Sequence, residues 1–328
     1  MNLIYICVFH KQDYIKLLKL LITSISIKAN ISEKIDILIL TSPSFQPIIQ
    51  NELKEFNLPL YYYILDLHTL YEAACARLTI FKYNNINKYD KILYLDTDIL
   101  INSDINVLFN LELSFEKLYA LKEGVIGHEF WGGKLFDFSK YNKDLPGFSS
   151  GILLFKNSDS IKSLFDTIEE HIPKGPRSTC LDQPFIVYNA ISQNKYDNTI
   201  MASYAENNPS KDSHKIIYHF PGGPGNSSSK LSKMQTFWYN NNPNKDTSTN
   251  STTNPTTKST TNSTTNSTTN STTNSTTNST TNSPTNSTTN SPTNSTINST
   301  TNSILKRNRR LGRARGIDVN LKRGIHPT

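Results

Sequence analysis

The chain has 328 residues, and its 34 Lys and Arg exceed its 27 Asp and Glu by seven. The whole excess lies in residues 304–328, where Lys306, Arg307, Arg309, Arg310, Arg313, Arg315, Lys322 and Arg323 face only Asp318. The rest is neutral, which excludes a basic nucleic-acid-binding core and leaves nonspecific binding to anionic surfaces to the tail alone.

Residues 246–303 are almost entirely Ser, Thr, Asn and Pro and repeat Asn-Ser-Thr-Thr with period four from Asn262. Nothing apolar is present there to offset the entropy of ordering a backbone. Three parts are therefore expected: one folded domain over 1–245, a low-complexity repeat over 246–303, and a disordered basic tail over 304–328. Cys7, Cys75 and Cys180 have no zinc or redox spacing, and so sparse a set points to a reducing compartment. Leu3–Phe9 is too short and too poorly flanked for a signal peptide, and no apolar run approaches 18 residues. A cytoplasmic protein without a membrane span is expected.

In chain order, Leu3–Phe9 reads as a buried strand. Tyr14, Leu17, Leu18, Leu21, Ile22 and Ile25 then recur on one face of a helix. Ile35–Leu40 is a second strand. A helix carrying Ile48, Ile49, Leu53 and Phe56 follows, then a third strand at Leu60–Leu65. A helix over about Glu72–Tyr83 leads to a fourth strand, Lys91–Leu95, which ends directly at Asp96. Alternation of this kind predicts a parallel sheet with helices on both faces. Beyond Asp98 come short strands at Lys117–Leu121, Gly151–Phe155 and Lys215–Phe220, and helices at Ser158–Glu170 and Asp182–Ile191. Between the first two of these strands, Glu123–Phe148 is irregular and long enough to be functional.

The sharpest feature is Lys91-Ile-Leu-Tyr-Leu-Asp-Thr-Asp-Ile-Leu100. In extended backbone Asp96 and Asp98 point to one side, so two carboxylates meet at a strand end, where open α/β sheets bind ligands. Carboxylate oxygens suit Mg²⁺ or Mn²⁺, and His219, ending another strand, would tilt the set towards Mn²⁺. Each feature has a plainer reading: a solvated turn for the Asp pair, a hydrogen-bonded structural His, and a flexible turn for Pro221–Gly225.

Ala76-Arg-Leu-Thr-Ile-Phe-Lys82, Tyr89-Asp-Lys-Ile-Leu-Tyr-Leu-Asp-Thr-Asp98, Phe148-Ser-Ser-Gly-Ile-Leu-Leu-Phe155, Leu181-Asp-Gln183 and Tyr218-His-Phe-Pro-Gly222 together resemble the ordered motifs of glycosyltransferase family 8. The resemblance covers about Leu3 to Met234. It implies a GT-A fold, a Rossmann-like mixed α/β sheet flanked by helices, that transfers a hexose from a nucleotide-sugar, usually a UDP-sugar, with retention. The acceptor would be a carbohydrate, a polyol or a protein.

The resemblance also assigns residues. Asp96, Asp98 and His219 would hold Mn²⁺, with Mg²⁺ the alternative, against the donor diphosphate. Arg77, Thr97, Ser149, Ser150 and Gly222 would contact the donor, and Tyr14 would stack on the uracil, although its periodicity fits a core residue equally well. Asp182 would orient sugar hydroxyls, and Gln183 would sit near the anomeric carbon; Asp182 is also a good helix N-cap. Gln183 would be a poor nucleophile, which favours front-face attack over a covalent intermediate. Two positions depart from the pattern: Ser149 stands where the family commonly has Asn, and Gly225 where it commonly has Lys. Lys230 or Lys233 would then supply the missing charge.

Alternatives are a degenerate sugar-nucleotide-binding domain and a haloacid dehalogenase-type phosphatase. The latter leaves His219 and the Asp182–Gln183 pair unexplained. The Ser/Thr-rich tail would itself be the acceptor if the protein glycosylates itself.

Overall fold

The structure is a computed structural model that describes residues 1–176, 180–222 and 226–242. The repeat, the basic tail, Gly225 and the expectations attached to them lie outside the described residues.

Ten strands and seven α-helices are formed among the described residues. In chain order they begin β1 (Asn2–Val8), α1 (Asp13–Lys28), β2 (Ile35–Thr41), α2 (Gln46–Leu53), β3 (Leu60–Ile64), α3 (Leu70–Cys75) and β4 (Lys91–Leu95). They continue β5 (Ile99–Ile101), α4 (Asn106–Phe109), β6 (Leu118–Val125), β7 (Pro146–Lys156), α5 (Asp159–His171), α6 (Gln183–Ser192), β8 (Tyr196–Asp197), β9 (Ala205–Asn207), β10 (Ile217–His219) and α7 (Ser227–Asn241).

The main sheet has the order β3-β2-β1-β4-β7-β6-β8. Strands β1 to β4 run parallel, as the β/α alternation predicts. β7 is antiparallel to both β4 and β6, so the sheet is mixed. Period-two alternation along the strands builds a core on each face. Ile4, Ile6 and Val8 of β1 join Leu93 and Leu95 of β4 beneath Leu18, Leu21, Ile22 and Ile25 of α1. Leu3 and Tyr5 join Ile92 and Tyr94 on the opposite face, covered by Leu164, Phe165 and Ile168 of α5 and by Phe185 and Ile186 of α6.

The order 3-2-1-4 reverses direction between β1 and β4. At such a point the connections leaving neighbouring strands diverge and open a crevice beyond the strands' carboxyl ends. Phe9 and His10 leave β1 there, and Asp96 leaves β4.

A second sheet, β5-β10-β9, begins immediately past this crevice. β10 pairs antiparallel with β5 and parallel with β9. Helix α7 covers it by burying Met234 and Trp238 against Leu17, Leu100, Tyr218 and Phe220. Sequence periodicity did not single out α7, whose Ser- and Asn-rich surface dilutes a stripe of only a few apolar residues.

Two expected elements differ. The helix expected over Glu72–Tyr83 is α3 followed by a 3-10 segment at Ala76–Lys82. Tighter winding there buries Ala76, Arg77, Leu78 and Ile80 in close succession, which a single helical stripe does not allow. The irregular segment is shorter than expected, because β6 runs to Val125 and β7 starts at Pro146, with a 3-10 turn at Glu129–Trp131 between them. Among the described residues, no helix is long and apolar enough to cross a membrane.

Candidate active site

The crevice opens into a cavity of about 500 Å³. Twelve of the residues singled out from the sequence line it: Tyr14, Arg77, Asp96, Thr97, Asp98, Ser149, Ser150, Asp182, Gln183, His219, Gly222 and Lys230. Lys233, the alternative to Lys230, is exposed on α7 and is not among the lining residues.

Backbone pairing brings Asp96, Asp98 and His219 together. The Asp96 amide donates to the Gly151 carbonyl at 2.9 Å, and the Phe220 amide donates to the Asp98 carbonyl at 2.9 Å. Ile99 is in register with His219 across β5 and β10. The carboxylates converge across a bend between β4 and β5, and not along extended strand as their spacing suggested. One ligand atom from each of the three residues lies within 4.8 Å of the others.

The donor set and the space both fit a divalent cation. Two carboxylates and an imidazole suit Mn²⁺ or Mg²⁺. Gly151 forms the wall beside them. A Cβ at this position would come within 2.8 Å of His219 Cε1, 2.9 Å of His219 Nε2 and 3.0 Å of Asp96 Oδ2, so a side chain there would fill the cradle.

Asn207 Oδ1 lies 2.8 Å from His219 Nδ1. An Nδ1–H donating to that oxygen leaves the Nε2 lone pair facing the carboxylates, as a metal ligand requires. Nε2 is 3.5 Å from Asp98 Oδ1, and Lys230 Nζ is 2.6 Å from Asp98 Oδ2. Burial pushes the Asp98 carboxyl up, but Lys230 and His219 outweigh it and hold the group well below the usual carboxylate range. Burial pushes His219 down, and Asp98 more than reverses this.

Arg77 links the cation cradle to Asp182. Its guanidinium Nη1 lies 3.3 Å from Asp96 Oδ1 and donates to the Ser150 carbonyl at 2.7 Å, while Nε is 3.0 Å from Asp182 Oδ2. Tyr94 stacks under Arg77, with its ring centroid 4.7 Å from Cζ, and its hydroxyl donates to Asp96. Arg77 is thus buried inside the site and does not form a surface salt bridge.

Asp182 is 1% exposed. Burial pushes its carboxyl up, Arg77 offsets only part of this, and Asp96 adds to it, so that its pKa is about 6. Its Oδ2 is ion-paired with Arg77 but accepts no hydrogen bond among the described residues. Asp182 occupies the N-cap position of α6, yet its side chain makes no capping bond, because it is turned to Arg77. The expected side-chain cap is therefore not formed. The preceding Leu181 has φ +55°, a left-handed conformation that costs a branched side chain roughly 1–2 kcal/mol.

Gln183 is held at both ends of its amide. Oε1 accepts from the Ser150 amide at 3.0 Å and from Ser150 Oγ at 3.2 Å, and Nε2 donates to the Phe130 carbonyl at 3.1 Å. Ser149 Oγ accepts from the Gly151 amide at 3.3 Å. Tyr14 is partly buried; it lines the cavity and also packs against the core.

Several lining residues were not singled out from sequence. Phe9 and His10 could have been, since they directly follow the strand at the switch point. Glu123, Phe130 and Trp131 lie in the Glu123–Phe148 segment marked as functional by its length, while Tyr94, inside β4, carries no local signal. Asn207 is recognisable only once β9 is known to pair with β10.

The model of the family described as glycosyl transferase family 8 matches residues 9–222. Among curated proteins, no sequence matches the chain. The apo structure of WbbM, a bifunctional glycosyltransferase, shares 15% identity at a TM-score of 0.50, over 73% of this chain and 51% of that one. The apo structure of the glycosyltransferase GlyE of Streptococcus pneumoniae TIGR4 shares 16% identity at a TM-score of 0.46, over 73% of this chain and 63% of GlyE. The galactosyltransferase LgtC, in complex with donor and acceptor sugar analogues, shares 14% identity at a TM-score of 0.47, over 72% of this chain and 96% of LgtC. The chain thus spans about half the length of WbbM and less than two thirds of GlyE. The fold is the GT-A fold, and with the family model matching well over half of its length, the chain belongs to glycosyl transferase family 8, a family of glycosyltransferases.

Proposed function

We propose that the protein is a retaining glycosyltransferase that moves a hexose from a UDP-sugar to an acceptor, with Mn²⁺ at Asp96, Asp98 and His219. The observation that carries this reading is the convergence of these three groups within 4.8 Å beside Arg77, Asp182 and Gln183, in one cavity of a family 8 chain. A divalent cation held there would act as a Lewis acid, neutralising the charge that develops on the departing diphosphate.

The chain's own groups supply the remainder. Lys230, on the first turn of α7, provides the charge for the diphosphate that the family places elsewhere. Tyr14 faces the nucleobase. Asp182 lines the cavity, ion-paired to Arg77, and would orient hydroxyls of the transferred sugar. The Gln183 amide is fixed at both ends, neutral and weakly nucleophilic, which supports front-face attack over a covalent intermediate. Ser149 keeps a hydroxyl where the family has an amide, so it reaches less far towards the sugar. The phosphatase reading has no support in the family match.

The test is UDP release by the full chain from UDP-glucose, UDP-galactose and UDP-N-acetylglucosamine, with the first-formed sugar anomer followed by NMR. Release from one donor, stopped by EDTA and by Asp98→Asn and giving the α-anomer first, is the expected result. Donor binding without release under every condition would favour a degenerate binding domain, and the β-anomer first would refute retention.

A further inference from the structure

Lys230 does more than line the cavity. Its ammonium is 2.6 Å from Asp98 Oδ2, on the carboxylate whose other oxygen faces His219. Asp98 is 2% exposed, and the Lys230 side chain is 13% exposed. One buried carboxylate therefore stands between two positive partners, the ammonium and any cation held with Asp96 and His219. A monocation and a dication on the same carboxylate repel strongly where water is excluded. Each therefore weakens the hold of the other on Asp98.

We propose that Lys230 and the divalent cation compete for Asp98, and that the ammonium passes from Asp98 to the donor diphosphate as cation and nucleotide bind. This rests on the reading of Asp96, Asp98 and His219 as the cation site. The geometry suits such a transfer. The backbone of Lys230 belongs to the first turn of α7, and that turn is tied to α1 through Ser227 Oγ, which donates to Asp13 Oδ2 at 3.3 Å. Met234 and Trp238 fix the rest of the helix on the second sheet.

The four-carbon stem reaches into the cavity from this fixed base. It lies along Gly222, where a Cβ would come 3.2 Å from Lys230 Cε and 3.7 Å from Cγ, so the glycine gives the stem its path. Without a diphosphate, a cation entering the site must displace the ammonium and leave it with no equivalent partner. With a diphosphate present, the displaced ammonium gains new negative oxygens. Cation and nucleotide thus bind cooperatively, and by linkage each tightens the other by the same factor.

The experiment measures Mn²⁺ alone, from the EPR signal of the free ion, and UDP at saturating Mn²⁺ by calorimetry. It compares the full-length wild type with Lys230→Met, Lys230→Arg and Asp98→Asn. Removing one charge-assisted bond to Asp98 is expected to tighten Mn²⁺ binding about tenfold in Lys230→Met and to weaken UDP about tenfold, so the coupling factor shrinks. Lys230→Arg keeps the charge and tracks the wild type. A helix merely loosened by the substitution would weaken both ligands, so the opposite signs are the signature. Mn²⁺ affinity unchanged or reduced in Lys230→Met, with Asp98→Asn abolishing Mn²⁺ binding, overturns the competition and leaves the cation site standing. Mn²⁺ binding undiminished in Asp98→Asn overturns the cation site and the competition together.

Discussion

Asp182 shows a site residue held against the preference of its surroundings. Its carboxyl has a pKa of about 6 in the folded chain against an ordinary 3.8, because burial disfavours its charge more than Arg77 favours it. Between those values the folded state keeps a proton that the unfolded chain has released. Stability therefore falls as pH rises through this window and is flat above it, a loss of roughly 3 kcal/mol in all. Asp182→Asn removes the charge. In EDTA the variant is expected to gain stability over the wild type as pH rises from 5 to 7.5, by roughly 1.4 kcal/mol, while losing donor turnover. Urea unfolding across that range is the measurement, and a stability difference independent of pH would contradict it.

With His219 read as a cation ligand, Asn207 would act through it. Replacing it with Leu removes the acceptor that holds the imidazole tautomer, and weakening a ligand's supporting hydrogen bond typically costs about tenfold or more in metal affinity. Mn²⁺ titration of Asn207→Leu should show that loss with an unchanged unfolding midpoint; unchanged affinity would mean that the bond does not orient His219.

At the scale of elements, what sequence could reveal depended on how local the determinants were. Strands β1 to β4 and the helices between them were legible because each carries its own apolar period, and Asp96 and Asp98 were legible because they end such a strand. His219 could be placed at a strand end, but its approach to Asp98 follows from the β5–β10 register, a long-range pairing between three-residue strands. The bend at Thr97 and the 3-10 winding after Cys75 were not legible, since both are imposed by packing around the cavity. The choice between Lys230 and Lys233 needed α7, whose faces separate the two.

On the proposed reading of Lys230, helix α7 carries a functional burden although most of it lies away from the cavity. Trp238 is 5% exposed within the cluster that seats the helix. Trp238→Ala should cost about 3 kcal/mol and weaken UDP binding, because Lys230 loses its fixed base. Thermal unfolding combined with UDP calorimetry checks both, and destabilisation with full UDP affinity would show that α7 does not position Lys230.

At the scale of the whole molecule, the strand order explains why residues from β1, β4, β7, α6, β10 and α7 share one cavity. The switch between β1 and β4 opens the crevice, β7 brings Ser149–Gly151 beside it, and the small second sheet closes it with His219 and the first turn of α7. The match to the family model ends at residue 222, before Lys230. On the proposed reading, cation and nucleotide share this cavity. The most direct measurement is calorimetric binding of UDP to the full chain with Mn²⁺ and with EDTA, in the wild type and in Asp98→Asn. EDTA is expected to weaken binding at least about tenfold, and Asp98→Asn to weaken it to the same level. UDP binding equally tight with EDTA and in Asp98→Asn would contradict it.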